Sequence, residues 1–237
     1  MNSGDPNIVQ AFRKEVSILS SVRHPNIVRF VGARLEFPDC SLVTEFVALG
    51  SLREVLHSAD RSPLSDSIIS RLMLGTTNGL AFLHDNSPPI IHRDLKSHNV
   101  LVDERYTPKL ADFGLSRYSV DDQTMTMVGT MSWAAPEVLR HNRYDVSADV
   151  YSLGVVLWEC VTRGGEPYPG LTGPQVLIAV TAEKKRPRRP TPEEATQEVS
   201  DLIERCWAED PLQRPTAAEA LATLEGTSEV TPFGSIN

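Results

Sequence analysis

The chain has 237 residues, 41% hydrophobic and 23% charged, enough apolar side chain for a substantial core and too much for a disordered polymer. Its formal net charge of −8 at pH 7 excludes a general electrostatic grip on nucleic acid, which needs clustered Lys and Arg to displace counterions from phosphates. Cys40, Cys160 and Cys206 are too widely spaced for a disulfide framework or a zinc site, no apolar run reaches the ~18 residues of a membrane span, and the first residues lack the layout of a secretory signal. The expected setting is the reducing cytoplasm.

In chain order, Asp5 and Pro6 can cap and begin a helix over 5–22, with Val9, Phe12, Val16 and Leu19 at helical spacing. Two β-rich runs follow, NIVRFVGARLEF and CSLVTEFV, and Pro38-Asp39 between them predicts an antiparallel hairpin. A helix over 65–86 gathers Ile68, Ile69, Leu72, Met73, Leu80 and Leu83 on one face, although Gly75 and Gly79 each cost about 1 kcal/mol relative to Ala. Residues 147–162, SADVYSLGVVLWECVT, are apolar almost all round, as only a central, buried helix of a soluble protein can be. Further helices are expected over 199–207 and 216–224, and EGTSEVTPFGSIN as a frayed tail. The basic run KKRPRR (Lys184–Arg189) reads as a solvated, proline-bearing turn, although such a run would also suit nuclear entry.

Chemistry concentrates in IIHRDLKSHNVLV (Ile90–Val102), where Asp94, Lys96 and Asn99 sit in a loop flanked by apolar segments. A short strand pair, NVLV and PKLA, leads to a second acidic turn, Asp112-Phe113-Gly114. Carboxylate and amide oxygens converging there suit Mg²⁺, a hard cation that shares its ligands with phosphates, and leave one Asp free to accept a proton.

On these residues the chain resembles the eukaryotic protein kinases: HRDLKSHN is similar to the catalytic loop, DFG to the metal-binding turn, and APE (Ala135–Glu137) to the end of the activation segment. DVYSLG (Asp149–Gly154) and CWAEDPLQRP (Cys206–Pro215) extend the likeness, which runs from about Phe12 to Leu224. Lys96, Thr130 in GTMSWAAPE, and the RHPNIVRFVGA and CWAEDP blocks are most similar to serine/threonine kinases of the tyrosine-kinase-like group. The resemblance implies an α+β, two-lobed kinase-like fold. Residues 1–47 would be a remnant small lobe of one helix and a two-stranded hairpin, 48–225 a mainly helical large lobe, and 226–237 a flexible tail.

It also implies roles. Asp94 would accept or orient the proton of a substrate hydroxyl, Lys96 would neutralise the transferred phosphoryl group, and Asn99 and Asp112 would ligate Mg²⁺. Thr44, Glu45, Val47 and Leu101 would line the ATP site together with Asp112. Arg93 would meet a phosphorylated activation segment, with Ser116, Ser119, Thr124 and Thr126 as acceptors for an upstream kinase. Leu19, Phe30, His92 and Phe113 would stack as an internal spine, and Glu137 with Arg214 would form a buried ion pair.

The family's glycine-rich phosphate cover has no counterpart, because no G-x-G occurs in the sequence. Glu15 in FRKEVSIL matches the family's helix Glu, but Lys14, its neighbour, is the only lysine before Lys96 and projects from a different part of the helix. Truncation of a longer kinase is therefore expected, with phosphorylation of protein Ser/Thr residues belonging to the longer protein and not to these residues alone. The alternative is a non-catalytic scaffold or binding module. The hairpin alone would be marginally stable and present an unpaired edge.

Overall fold

The computed structural model describes residues 16, 17, 19–36, 40–58, 64–112, 131–141 and 144–228, and its core is laid around one helix. In chain order the elements are β1 (Phe30–Arg34), β2 (Ser41–Thr44), α1 (Leu52–His57), α2 (Asp66–His84), β3 (Val100–Val102) and β4 (Pro108–Leu110). They continue with α3 (Pro136–His141), α4 (Val146–Val161), α5 (Gly173–Thr181), α6 (Gln197–Cys206) and α7 (Ala217–Ser228). Helix α4 is the expected central one: Tyr151, Leu153, Val155, Val156, Leu157 and Cys160 are fully buried. Asp145 starts it by accepting hydrogen bonds from the Ser147 and Ala148 amides, which would otherwise lack partners. Helices α2 and α6 pack against α4, and α7 covers α2 and α6.

The glycines of α2 have a structural reason that outweighs their helical cost. A Cβ on Gly79 would stand 2.7 Å from the Asn26 carbonyl oxygen, and one on Gly75 would stand 2.5 Å from the Pro108 ring. The notch they leave admits the root of the first hairpin. There the Asn26 side chain donates to the Pro108 carbonyl at 3.0 Å and accepts from Asn78 at 3.1 Å. Backbone bonds from Leu110 to the Asn26 carbonyl and from Val28 to the Leu110 carbonyl, each 2.9 Å, complete the joint.

Strands β1 and β2 pair antiparallel, as do β3 and β4, in separate two-stranded sheets. Val31, Val43 and Phe46 are 59%, 49% and 91% exposed, so among the described residues little apolar surface covers the first hairpin. Residues 19–21 are helical, with Leu19 and Val22 buried. The expected helix start at Asp5 and the Pro38-Asp39 turn lie outside the described residues.

Some expectations need correction. Residues 226–228, expected in the tail, continue α7 to Ser228, with Leu224 buried beneath it, and the rest of the expected tail lies outside the described residues. The basic run is the expected mostly exposed, proline-bearing loop between helices, and its arginines are held by ion pairs. Arg186 pairs with Glu209 at 2.6 Å, Arg188 with Glu194 at 2.6 Å, and Arg189 with Asp201 at 2.5 Å and also with Glu204. Helices α1, α3 and α5 were not expected.

The Glu137–Arg214 pair is present and bidentate at 2.6 and 2.9 Å, and the Arg214 side chain is fully buried. Arg214 also donates to the Ala208 and Ser147 carbonyls at 2.9 and 3.0 Å. Arg214→Ala, which strands the Glu137 charge, should cost about 3 to 5 kcal/mol, read as a lower urea midpoint at unchanged slope. Gly79→Ala should destabilise by about 1 to 3 kcal/mol in the same measurement, although Ala would stabilise an open helix; a raised midpoint would contradict the notch.

Candidate active site

The loop around Asp94 is held from below by a carboxylate on α4. Asp149, 2% exposed, accepts from the His92 amide at 2.7 Å and the Arg93 amide at 2.9 Å, and lies 3.0 Å from His84 Nε2. These bonds hold the backbone where Arg93 takes a φ of +70°, in the left-handed region that L side chains seldom adopt. The chain turns there, and Asp94 emerges next.

Asp94 is the hub of a small polar cluster. Its Oδ2 lies 2.8 Å from Lys96 Nζ, and Asn99 Nδ2 donates to both that oxygen and the Asp94 carbonyl at 2.8 Å. The Ala111 amide donates to the Asn99 carbonyl at 2.9 Å, which fixes the end of β4 against the loop and brings the next residue, Asp112, beside it. Asp112 has φ +56° and is exposed. Burial lowers the pKa of the His92 ring, opposed by the charges of Asp149, Asp94 and Asp112, so all three carboxylates act on one imidazole.

The donor set fits Mg²⁺. Asn99 commits its amide nitrogen to Asp94, which leaves its side-chain oxygen, together with the Asp112 carboxylate, as hard donors. Among the described residues no group of three or more His, Cys, Asp or Glu forms a cage. A pair of oxygens is the arrangement Mg²⁺ uses when waters and phosphates complete its shell.

The residues expected to line a nucleotide divide into two sets. Val47 and Leu101 meet in one apolar cluster with Val28 and Ala111, next to Asp112. Backbone bonds from Leu49 to the Val102 carbonyl (3.0 Å) and from Val102 to the Gly50 carbonyl (2.8 Å) stitch the segment after β2 onto β3 and bring them together. Thr44 instead pairs with Phe30 across the hairpin, and its side chain is exposed. The Glu45 amide donates to the Arg29 carbonyl at 2.9 Å, and its carboxylate accepts from the Arg29 amide at 2.8 Å and Lys109 Nζ at 3.0 Å. Burial raises the Glu45 carboxyl, but these hydrogen bonds and charges outweigh it and hold the group below its ordinary range. Glu45 thus faces a separate concavity of about 750 Å³ lined by Leu19, Val22, Phe30 and Lys109.

On the other side of Asp94 lies the 3-10 turn Met131–Trp133. Trp133 and Tyr144 line a pocket with Arg93 and Asp94, and the Arg93 guanidinium stands 5.9 Å from the Tyr144 ring centre. Burial, and then the Asp94 charge, push the Tyr144 phenol up to about 12. Trp133 Nε1 and Ser97 Oγ both donate at 2.8 Å to Glu159, buried on α4. The sequence reading passed over Asp149, Ser97, Trp133 and Glu159 as site residues; acidic side chains inside an otherwise apolar helix were the available signal. Lys14, Glu15, Phe113, Ser116, Ser119, Thr124, Thr126 and Thr130 lie outside the described residues.

A family profile described as protein tyrosine and serine/threonine kinase matches residues 2–224. The probable serine/threonine-protein kinase drkB of Dictyostelium discoideum is 44% identical over 219 residues, 92% of this chain and 31% of that protein. The serine/threonine-protein kinase CTR1 of Arabidopsis thaliana is 41% identical over 219 residues, 91% of this chain and 26% of that one. STY17 of the same plant, also a serine/threonine-protein kinase, is 39% identical over 218 residues, 92% of this chain and 37% of its own length. The chain thus spans about a third of these relatives. Loop, polar cluster and matched span agree, and the chain belongs to the protein tyrosine and serine/threonine kinase family.

Proposed function

We propose that this chain carries the phosphoryl-transfer centre of an ATP-dependent protein serine/threonine kinase. The observation that supports this most directly is the Asp94 carboxylate, held at 2.8 Å by both Lys96 Nζ and Asn99 Nδ2. Those contacts fix the carboxylate as an acceptor for the proton of an incoming Ser or Thr hydroxyl, a role contributing about 10²- to 10⁴-fold in rate. Lys96 would place a positive charge beside the transferred phosphoryl group, and Asn99 and Asp112 would hold Mg²⁺ through oxygen. The metal, when bound with the nucleotide, neutralises phosphate charge. Val47 and Leu101 offer an apolar wall to the adenine. Thr44 and Glu45 are kept at the rim of that site, Glu45 by its backbone carbonyl, since its amide serves Arg29 and its side chain Lys109.

Lys96 and the serine/threonine kinases among the relatives favour a Ser/Thr acceptor in a protein substrate. An upstream kinase is the proposed source of phosphate for the segment between Asp112 and Met131. Buried Cys160 and Cys206, with no disulfide among the described residues, suit the cytoplasm.

In the full-length protein, Asp94→Asn should lower phosphorylation of a Ser/Thr substrate by about 10²-fold or more while leaving the thermal midpoint within a few degrees. Unchanged turnover would contradict the assignment. Millimolar Mg·ATP should raise the melting temperature through selective binding to the native state. No shift, with no phosphorylation, would favour a binding module instead.

A further inference from the structure

The concavity that Glu45 faces takes no part in the chemistry proposed above. It measures about 750 Å³, within the range of about 300 to 1,000 Å³ for clefts that hold ligands. Leu19, Val22 and Ile27 supply the buried part of its wall, and Phe30 and Val31 of β1 continue it. Val31 is 59% exposed, so the apolar wall runs out to the surface. One end is held firmly. The His24 ring stacks on Phe82 of α2 at 4.7 Å, and its Nδ1 accepts from the Asn26 amide at 3.2 Å, beside the glycine notch. The recess is thus preformed, which spares a partner the cost of ordering it.

Its charge comes from Arg23, Arg29, Glu45 and Lys109. Lys109 and Glu45 answer one another at 3.0 Å. Arg23 and Arg29 are exposed, and neither guanidinium makes an ion pair or a hydrogen bond among the described residues. Arg34, Arg53, Arg140, Arg163, Arg188 and Arg189, by contrast, each have a carboxylate within 3.4 Å. In a chain of net charge −8, two unanswered arginines over one apolar recess form a local positive site.

We propose that this recess docks an acidic, amphipathic peptide segment of a partner protein, with an apolar side chain against Leu19, Val22 and Phe30 and carboxylates on Arg23 and Arg29. The planar guanidinium fork matches a carboxylate with two parallel hydrogen bonds, and the recess beside it takes the apolar residue out of water. Other occupants fit less well. A second copy in a two-fold contact would set the same arginines against each other. A bilayer surface is flat and does not enter a recess. Nucleic acid binding draws on many phosphate contacts, and two arginines supply few. Nothing in this docking requires phosphoryl transfer, so its test reads binding alone.

The test uses the full 237-residue chain and three synthetic peptides of equal length, followed by fluorescence anisotropy. The first alternates Leu and Phe with Asp and Glu, the second carries Lys in place of the acids, and the third carries Ser in place of the apolar residues. The first should bind, and the other two at least about tenfold more weakly. Arg23→Glu should weaken the acidic peptide about tenfold or more and strengthen the Lys peptide, with an unchanged thermal midpoint, because Arg23 holds no other group. Val31→Ser should also weaken the acidic peptide, while keeping the salt dependence that Arg23→Glu reduces. Equal binding of all three peptides, binding of none, or an affinity that Arg23→Glu leaves unchanged would overturn the proposal. Self-association in ultracentrifugation that Arg23→Glu abolishes would give the face to a second copy and overturn it too. So would retention on phosphatidylserine vesicles that the same variant abolishes, without peptide binding, which would give the face to a membrane.

Discussion

A carboxylate removed from water costs several kcal/mol unless donors replace its hydration, and this fold turns that cost into an anchor for the loop that carries Asp94. Asp149 is buried at one end of α4 and takes the peptide amides of His92 and Arg93 as donors. Those amides lie immediately before Asp94, where the backbone is least comfortable. Without the carboxylate, the left-handed Arg93 would have little to hold it. With it, Asp94 follows a short left-handed lead that is tethered to a rigid helix, and Lys96 and Asn99 close around it. Position at the site is thus set by the best-buried element in the chain.

The second sheet extends this order. Asn99 accepts from Ala111 through its carbonyl while its side chain holds Asp94, so one residue registers β4 against the loop. Asn26, seated in the glycine notch of α2, bonds to both ends of β4. The exposed hairpin β1–β2 is consequently fixed at its root, although its outer face has little cover. Val47 then reaches Leu101 and Ala111 through backbone pairing and not through a large sheet.

Much of this was legible in the residues. The spacing of Asp94, Lys96, Asn99 and Asp112 and the apolar run of α4 were readable because each depends on short-range order. Helices α1 and α5 were missed even though Ser51 with Glu54, and Thr172 with Gln175, form capping boxes, because helices of six and nine residues offer too little apolar periodicity. The basic run was readable as an exposed loop but its partners were not, because Asp201, Glu204 and Glu209 arrive from later in the chain. Gly75 and Gly79 looked like defects until Asn26 and Pro108 were seen to fill their place. Where the Glu45 side chain goes was not legible, because it is held by the Arg29 amide and by Lys109, which is far away in the chain.

The central proposal is that Asn99 and Asp112, the one in the anchored loop and the other just after β4, would grip one cation. A double-mutant cycle on Mg²⁺-dependent nucleotide binding tests it directly, with Asn99→Ala, Asp112→Ala and the double variant measured by calorimetry. Residues sharing an ion should show a coupling of about 0.5 to 3 kcal/mol. Strictly additive losses, or affinities that ignore Mg²⁺ in every protein, would contradict the account.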